Sequence, residues 1–269
     1  MTRPPLRPGD ARVPVGLLVP SVVGLALLLL PMLALVARTP WRLLPEILST
    51  PEVLGALRLS LTTATITTVL CVACGVPLAW LLARTSLPGR SLLRALVTVP
   101  LVLPPVIGGV ALLVAFGRSG LVGGWLYDAF GFSLPFTTAA VVLAQSFVAM
   151  PFLIIAVEGA LRTADRRYEG VAATLGASGW TTFRRVTLPS VAPGVLAGAV
   201  LCWARALGEF GATITFAGSF PGTTRTLPPA AYAAINAGEI ETAIVLSLLM
   251  MVVSVTVLVA LRDRWVNTR

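Results

Sequence analysis

Six apolar stretches divide the chain, and each is close to the length that a helix needs to cross a lipid bilayer. They cover residues 15–36, 57–82, 95–116, 137–157, 191–216 and 243–261. About 20 predominantly apolar residues cross the hydrocarbon layer as an α-helix. The polar segments between the stretches are too short to build a separate soluble core. The pattern predicts an all-α integral membrane protein with six transmembrane helices.

The third stretch is interrupted by residues that disfavour a regular helix. It contains Pro100, Pro104, Pro105, Gly108 and Gly109. Such residues are tolerated at membrane depth where the backbone groups that they free are buried in protein or line a cavity. We therefore expect a kinked or interrupted helix at this position.

The fifth stretch carries two opposite charges. Arg205 and Glu209 are four residues apart, so on one helix they share a face and can pair. Charged side chains inside a membrane are functional candidates by default, and the pair is either a structural ion pair or part of a pathway or gate. Small residues beside it would let another helix, or a second copy of this one, approach closely. The candidate pathway or gate residues are Arg205, Gly208, Glu209, Gly211, Thr213 and Thr215.

Composition agrees with a membrane protein and excludes several other classes. The chain is 57% hydrophobic and only 12% charged, with a mean hydropathy of +0.91, whereas soluble domains are about 25% charged. The net charge of +9 comes from arginines scattered between the apolar stretches, so no nucleic acid partner is expected. The chain has no histidine and no carboxylate cluster, so we expect no metal site and no catalytic centre.

The distribution of arginine predicts the orientation in the membrane. If the N-terminus is inside, the inner segments hold 14 arginines and the outer segments hold five. Cytoplasmic loops carry the excess of positive charge. Both termini, and residues 162–190, are therefore predicted to be cytoplasmic in a multi-pass membrane protein.

The segments flanking the spans complete the predicted organisation. Residues 1–14 form a cytoplasmic tail, 15–56 the first helix and an outer loop, 57–261 the main transmembrane domain, and 262–269 a cytoplasmic tail. The basic start followed by an apolar run also resembles a cleaved signal peptide, with Ala-Leu-Val-Ala at 34–37 as the cleavage site. The run is longer than the 7–15 residues typical of a signal core, which favours a retained helix.

The segment that we call loop 162–190 is the most structured polar part of the chain. Residues 169–179 predict a short helix that ends in glycine, and Trp180 and Phe183 follow it. Loops held by a rigid scaffold often carry function, so this loop is a candidate docking surface. Its arginines are Arg162, Arg166, Arg167, Arg184 and Arg185.

Loop 162–190 resembles the cytoplasmic coupling loop of permease subunits of bacterial ABC importers. The pattern of that family is Glu-Ala-Ala, three residues, Gly, nine residues, Ile, one residue, Leu-Pro. Gly176 takes the glycine place, Val186 the isoleucine place, and Leu188 and Pro189 the end. The opening triplet departs from the pattern, and Glu169 lies one place early. The resemblance assigns the ATPase-coupling role to Glu169, Gly170, Val171, Ala172, Gly176, Ala177, Trp180, Val186, Leu188 and Pro189.

One branch of this family is indicated by the residues 207–216 and 221–228. Leu-Gly-Glu-Phe-Gly-Ala-Thr-Ile-Thr-Phe, continued by Pro-Gly-Thr-Thr-Arg-Thr-Leu-Pro, is similar to the molybdate branch of the oxyanion permeases. Sulfate permeases share Gly-Glu-Phe-Gly and the Thr-Leu-Pro ending but diverge in between. The resemblance implies a type I importer permease for molybdate, with sulfate, thiosulfate or tungstate as alternative substrates.

The same resemblance implies partners and a mechanism. The chain would work as a homodimer in the lipid bilayer of the bacterial cell (inner or plasma) membrane. Its partners would be two cytoplasmic ABC ATPase subunits and an extracytoplasmic oxyanion-binding protein, and the complex would work by alternating access. ATP and magnesium would be used by the ATPase, since this chain has no GxxxxGK[ST] phosphate loop. No cofactor is expected in this chain.

Three other classes of membrane protein fit the sequence less well. A secondary transporter driven by an ion gradient would show inverted repeats and several mid-membrane carboxylates, and neither is evident. A membrane enzyme would need clustered catalytic residues. A membrane scaffold would not explain the ordered loop 162–190.

Overall fold

The computed structural model describes residues 15–266, and the regular structure in this range is helical. Apart from a five-residue π-helical turn, Phe183–Thr187, which we call the π-turn, it consists of α-helices. In chain order these are α1 (Val15–Arg38), α2 (Leu44–Leu48), α3 (Pro51–Arg84), α4 (Arg90–Val102), α5 (Pro105–Phe116), α6 (Gly123–Phe130), α7 (Thr138–Thr163), α8 (Arg167–Thr174), α9 (Gly179–Thr182), α10 (Leu188–Leu207), α11 (Gly211–Phe216), α12 (Leu227–Asn236) and α13 (Ile240–Val266).

Five helical segments are long and apolar enough to cross a membrane. These are α1, α3, α7, the continuous run from α9 through the π-turn to α10, and α13. The sixth span is the pair α4 and α5, which bend by 116° around the break before Pro105. The six-span prediction therefore holds when this pair counts as one span. The predicted interruption of the third stretch is confirmed.

Helices α3, α7 and α10 form the core of the bundle through small residues. A Cβ atom on Gly194 would lie 2.3 Å from the Ala160 Cβ, and one on Gly198 would lie 3.1 Å from the Ala156 Cβ. Small residues let membrane helices approach closely, and van der Waals packing then stabilises the contact. In contrast, α1 exposes nearly its whole surface and contacts the rest of the chain mainly through α13.

A buried amide and two threonines join α3 to α7 inside the bundle. Gln145 Nε2 donates to Thr63 Oγ1 at 3.2 Å, and Thr67 Oγ1 donates to Gln145 Oε1 at 3.0 Å. All three side chains are fully buried. Because polar groups in a membrane interior need partners, this network helps to fix how the two helices face each other.

Several predicted boundaries were wrong. Helix α3 begins at Pro51, inside the predicted outer loop, and the segments 117–136 and 217–242, which lie between predicted spans, contain the helices α6 and α12. Prolines follow Leu227 at the start of α12, where their missing N–H groups cost no helical hydrogen bond. Helix α13 runs to Val266, past the predicted span end.

The fifth stretch differs most from its prediction. It was expected to be one helix over 191–216, but α10 already begins at Leu188 and ends at Leu207, and α11 starts at Gly211 after a break. The predicted tail 1–14 and residues 267–269 lie outside the described residues. The domain boundaries as a whole stay a prediction.

Candidate functional site

Helix α8 ends at a glycine, although at a different one from the glycine predicted. Gly176 has a φ of +80°, which a residue with a side chain rarely adopts. Its N–H donates to the Ala173 carbonyl, and the Ala177 N–H donates to the Ala172 carbonyl. This is the Schellman arrangement that terminates helices. The predicted helix 169–179 was therefore too long, because Gly176 stops it before Gly179.

The Glu169 side chain is held by contacts with other residues of this chain. Its Oε1 accepts a hydrogen bond from Thr187 Oγ1 at 3.0 Å and lies 3.1 Å from Nη2 of Arg84. Its side chain is only 22% exposed. The glutamate that the sequence suggested for ATPase contact is thus already engaged by the end of α3 and by the π-turn.

The outward face of α8 is apolar. Tyr168, Val171 and Leu175 lie at positions i, i+3 and i+7 on one side of the helix, and all three are exposed, Leu175 by 82%. Ala172 is half-buried, and Gly170 is exposed with nothing within 4 Å of the place where a Cβ would be. An exposed apolar helix face of this kind is typical of a docking surface.

An aromatic group anchors the second half of loop 162–190. Phe183 stacks on Trp180 at 5.8 Å between ring centroids and meets Trp80 of α3 edge-on at 6.0 Å. Trp180 itself is largely exposed. The rings fasten this half of the loop to the membrane helices.

The end of the loop passes directly into α10. Val186 is half-buried in the π-turn, and the half-buried Leu188 packs against the main core. Pro189 is exposed in the first turn of α10, where a proline is compatible with the helix. Leucine and proline therefore lie at the start of α10, inside a helical run that is continuous from Gly179 to Leu207, and do not close the loop before a span.

The break in the fifth stretch is built around Glu209. This carboxylate is 1% exposed, and its Oε2 lies 2.6 Å from Nη2 of Arg205, whose side chain is 26% exposed. Its Oε1 accepts a hydrogen bond from the Ala212 N–H at 2.8 Å. The predicted ion pair forms, but Glu209 lies beyond the end of α10 and also satisfies the first turn of α11.

The remaining candidates at the break have different surroundings. A Cβ on Gly211 would lie 2.9 Å from the Pro105 Cβ, so this glycine permits close contact of α11 with α5, whereas Gly208 is exposed. Thr213 is fully buried, and its Oγ1 has no hydrogen-bond partner among the described residues. Thr215 donates to the Gly211 carbonyl within its own helix.

A second buried carboxylate was not singled out from the sequence. Glu158 of α7 lies 2.5 Å from Nη2 of Arg94 and 3.0 Å from Nη2 of Arg162. The four-residue spacing of Glu158 and Arg162 is visible in the sequence, but the contact with Arg94 on α4 depends on how α4 packs. The three residues line a cavity of about 300 Å³ at the end of the bundle that carries loop 162–190.

Comparison with known proteins identifies the family. Residues 75–269 match the model of the binding-protein-dependent transport system inner membrane component. The chain belongs to this family. It is 51% identical to the molybdenum transport system permease protein of Mycobacterium tuberculosis, over 91% of this chain and 92% of that protein. It is 44% identical to the Escherichia coli protein of the same name, over 71% and 82%, and 36% identical to an E. coli sulfate transport system permease protein, over 72% and 70%.

The fold of this family member resembles that of a solved importer. The structure is a bacterial alginate ABC transporter in complex with a periplasmic protein that holds an alginate pentasaccharide. It matches with a TM-score of 0.74 and 16% identity over 94% of both chains. At this identity the likeness concerns the fold alone, which is that of a type I ABC importer permease. As a member of the family, the chain is a permease subunit and not the catalytic subunit of the transporter.

Proposed function

We propose that this chain is the membrane-spanning subunit of an ATP-driven importer that carries molybdate into the cell. The observation that carries the proposal is the 51% identity, over nearly the full length of both chains, to a permease that bears the name of molybdenum transport. Identity to a sulfate permease is lower, at 36%. Neither a sulfate permease nor an ion-coupled carrier is favoured by a feature of the chain.

In this proposal α8 docks on a cytoplasmic ABC ATPase. The support is its exposed face of Tyr168, Val171 and Leu175, together with the excess of arginine on the same side of the membrane. ATP binding and hydrolysis, with magnesium, take place on the partner. Movement of the ATPases shifts α8, and the membrane helices change between outward-open and inward-open states.

One copy supplies six spans, and we infer that two copies form the complete pathway. An extracytoplasmic binding protein selects the oxyanion and delivers it to the outer face. The Arg205 and Glu209 pair, with Thr213 and Thr215 nearby, is the proposed polar lining or gate. Because Glu209 offsets most of the charge of Arg205, the anion meets a weak site from which it can be released.

The test is uptake of radiolabelled molybdate into proteoliposomes that contain this chain, its ATPase and its binding protein. We expect uptake that requires ATP and resists an excess of sulfate. A complex with an ATPase that cannot hydrolyse ATP is the matched control and should show none. Uptake suppressed equally by sulfate would change the substrate to oxyanions in general. Absence of ATP-dependent uptake by a verified complex would overturn the proposal.

A further inference from the structure

Arg84 is a buried cation at the last residue of α3. Its side chain is 5% exposed, and neither Nε nor Nη2 has a hydrogen-bond acceptor among the described residues. Glu169 of α8, at 3.1 Å, is the one carboxylate within ion-pairing distance of it among the described side chains. The guanidinium therefore depends on a residue of loop 162–190 for its counter-charge.

Two further contacts hold α8 in place, one with the π-turn and one with the end of α3. Thr187 of the π-turn donates to the Glu169 carboxylate, and Arg166 Nη2 donates to the Arg84 carbonyl at 3.4 Å. Helix α8 otherwise packs on α9 and the π-turn, which continue without a break into α10. The ion pair is thus the one salt bridge between α8 and α3 among the described residues.

A buried ion pair resists separation more than an exposed one. Removing one partner leaves the other charge buried without compensation, which is strongly unfavourable. Moving α8 away from α3 would have the same effect on Arg84. We therefore expect α8 and the end of α3 to move together.

Helix α3 continues without a break from Arg84 to the opposite end of the bundle. Twenty-four residues earlier, the fully buried Ser60 accepts a hydrogen bond on Oγ from the Leu227 N–H at 2.7 Å, at the start of α12. At about 1.5 Å per residue the two contacts are roughly 36 Å apart. The helix that ends in Arg84 therefore also contacts a helix near the other surface.

We propose that the Arg84–Glu169 ion pair is the positioning contact through which α8 moves α3, and that Glu169 does not serve as a contact to the ATPase. This rests on the proposed function, because it requires an ATPase that displaces α8. The pair touches neither nucleotide nor transported anion. It acts by holding α8 against the end of α3, so that the two helices move together.

The experiment measures the number of ATP molecules hydrolysed per molybdate imported, in proteoliposomes with the ATPase and binding protein. In the variant Glu169→Gln we expect this ratio to rise about tenfold, since allosteric couplings typically lie between about 5- and 150-fold. The complex should still assemble, as judged by co-purification of the ATPase. Arg84→Lys, which keeps the charge, should retain most of the coupling, and Arg84→Glu combined with Glu169→Arg should restore it in part.

Asp165→Asn is the matched control. Asp165 is an exposed acid in the same loop, and it accepts a hydrogen bond from the Arg167 N–H, which asparagine can also do. It should leave the ratio unchanged. A normal ratio in Glu169→Gln, with active wild-type uptake, would overturn the positioning role alone. Loss of ATPase co-purification in Glu169→Gln would instead identify Glu169 as a docking contact and would also overturn it. An inactive wild-type complex would point to failure of the proposed function.

Discussion

Glu209 accepts a hydrogen bond from the Ala212 N–H at 2.8 Å, so the acid that pairs with Arg205 also begins α11. One oxygen offsets a cation, and the other satisfies a helix end that α10 cannot reach. This arrangement explains why a charged residue is placed at a break inside an apolar stretch. The two roles can be separated by mutation.

Replacing Glu209 by alanine should be more harmful than replacing it by glutamine. Alanine removes the hydrogen bond to α11 and leaves Arg205 without its partner, which should reduce the free energy of unfolding by about 3 kcal/mol. Glutamine keeps an acceptor for Ala212 and should cost about half as much. Thermal unfolding of the two purified variants in detergent measures which of them is less stable. Glu239→Gln, at an exposed position, should change little, and equal effects of both Glu209 variants would contradict the double role.

Gly211 should not tolerate a side chain, whereas Gly208 should. A Cβ on Gly211 would lie 2.9 Å from the Pro105 Cβ and 3.1 Å from the Val106 backbone N. Gly211→Ala therefore pushes α11 from α5, at a cost of about 1–3 kcal/mol. A Cβ on Gly208 would meet only the Ala204 carbonyl oxygen, at 3.6 Å. The thermal midpoint should fall for the first variant and stay near wild type for the second, and the reverse order would show that the packing of α5 and α11 is wrong.

Replacing Gly170, inside α8, or Gly176, just after its end, by alanine should have opposite effects on the stability of α8. Gly176 has a φ of +80°, so Gly176→Ala introduces strain of about 1 kcal/mol. Gly170 is helical and open, so Gly170→Ala should stabilise α8 by about 0.5–1 kcal/mol. Hydrogen exchange of the α8 amides should speed up in the first variant and slow down in the second. Similar exchange in both would mean that α8 does not end at Gly176.

A charge on the outward face of α8 should weaken binding of the ATPase. Leu175→Asp places a carboxylate at an exposed apolar position that is proposed to be buried by the partner, and truncation or charging of such anchors commonly costs more than 1 kcal/mol of binding. Ala173→Asp adds the same charge at an exposed position outside that face. Binding to the purified ATPase, measured by titration, should fall at least about fivefold for Leu175→Asp. An equal loss in both variants would indicate a charge effect and no specific face.

The order and positions of the spans could be predicted because the evidence for a span is a run of apolar residues that are neighbours in sequence. Crossing a bilayer needs about 20 apolar residues in sequence, whatever the rest of the chain does. The proline and glycine content of the third stretch predicted its break for the same reason. The spacing from Gly176 to Pro189 likewise singled out loop 162–190 from the sequence alone, and its coupling role stays a prediction.

The break at 208–210 and the partners of the charges were decided only by the tertiary structure. Gly208 and Gly211 are visible in the sequence, but the contact of Gly211 with Pro105 exists only because α5 bends away from α4. Glu169 stands beside Arg167 and Arg166 along the chain, yet its ion pair is with Arg84 at the end of another helix. Hydropathy is a sum over neighbours in sequence, whereas the choice of a counter-charge depends on which helix ends meet when the small residues of α3, α7 and α10 pack.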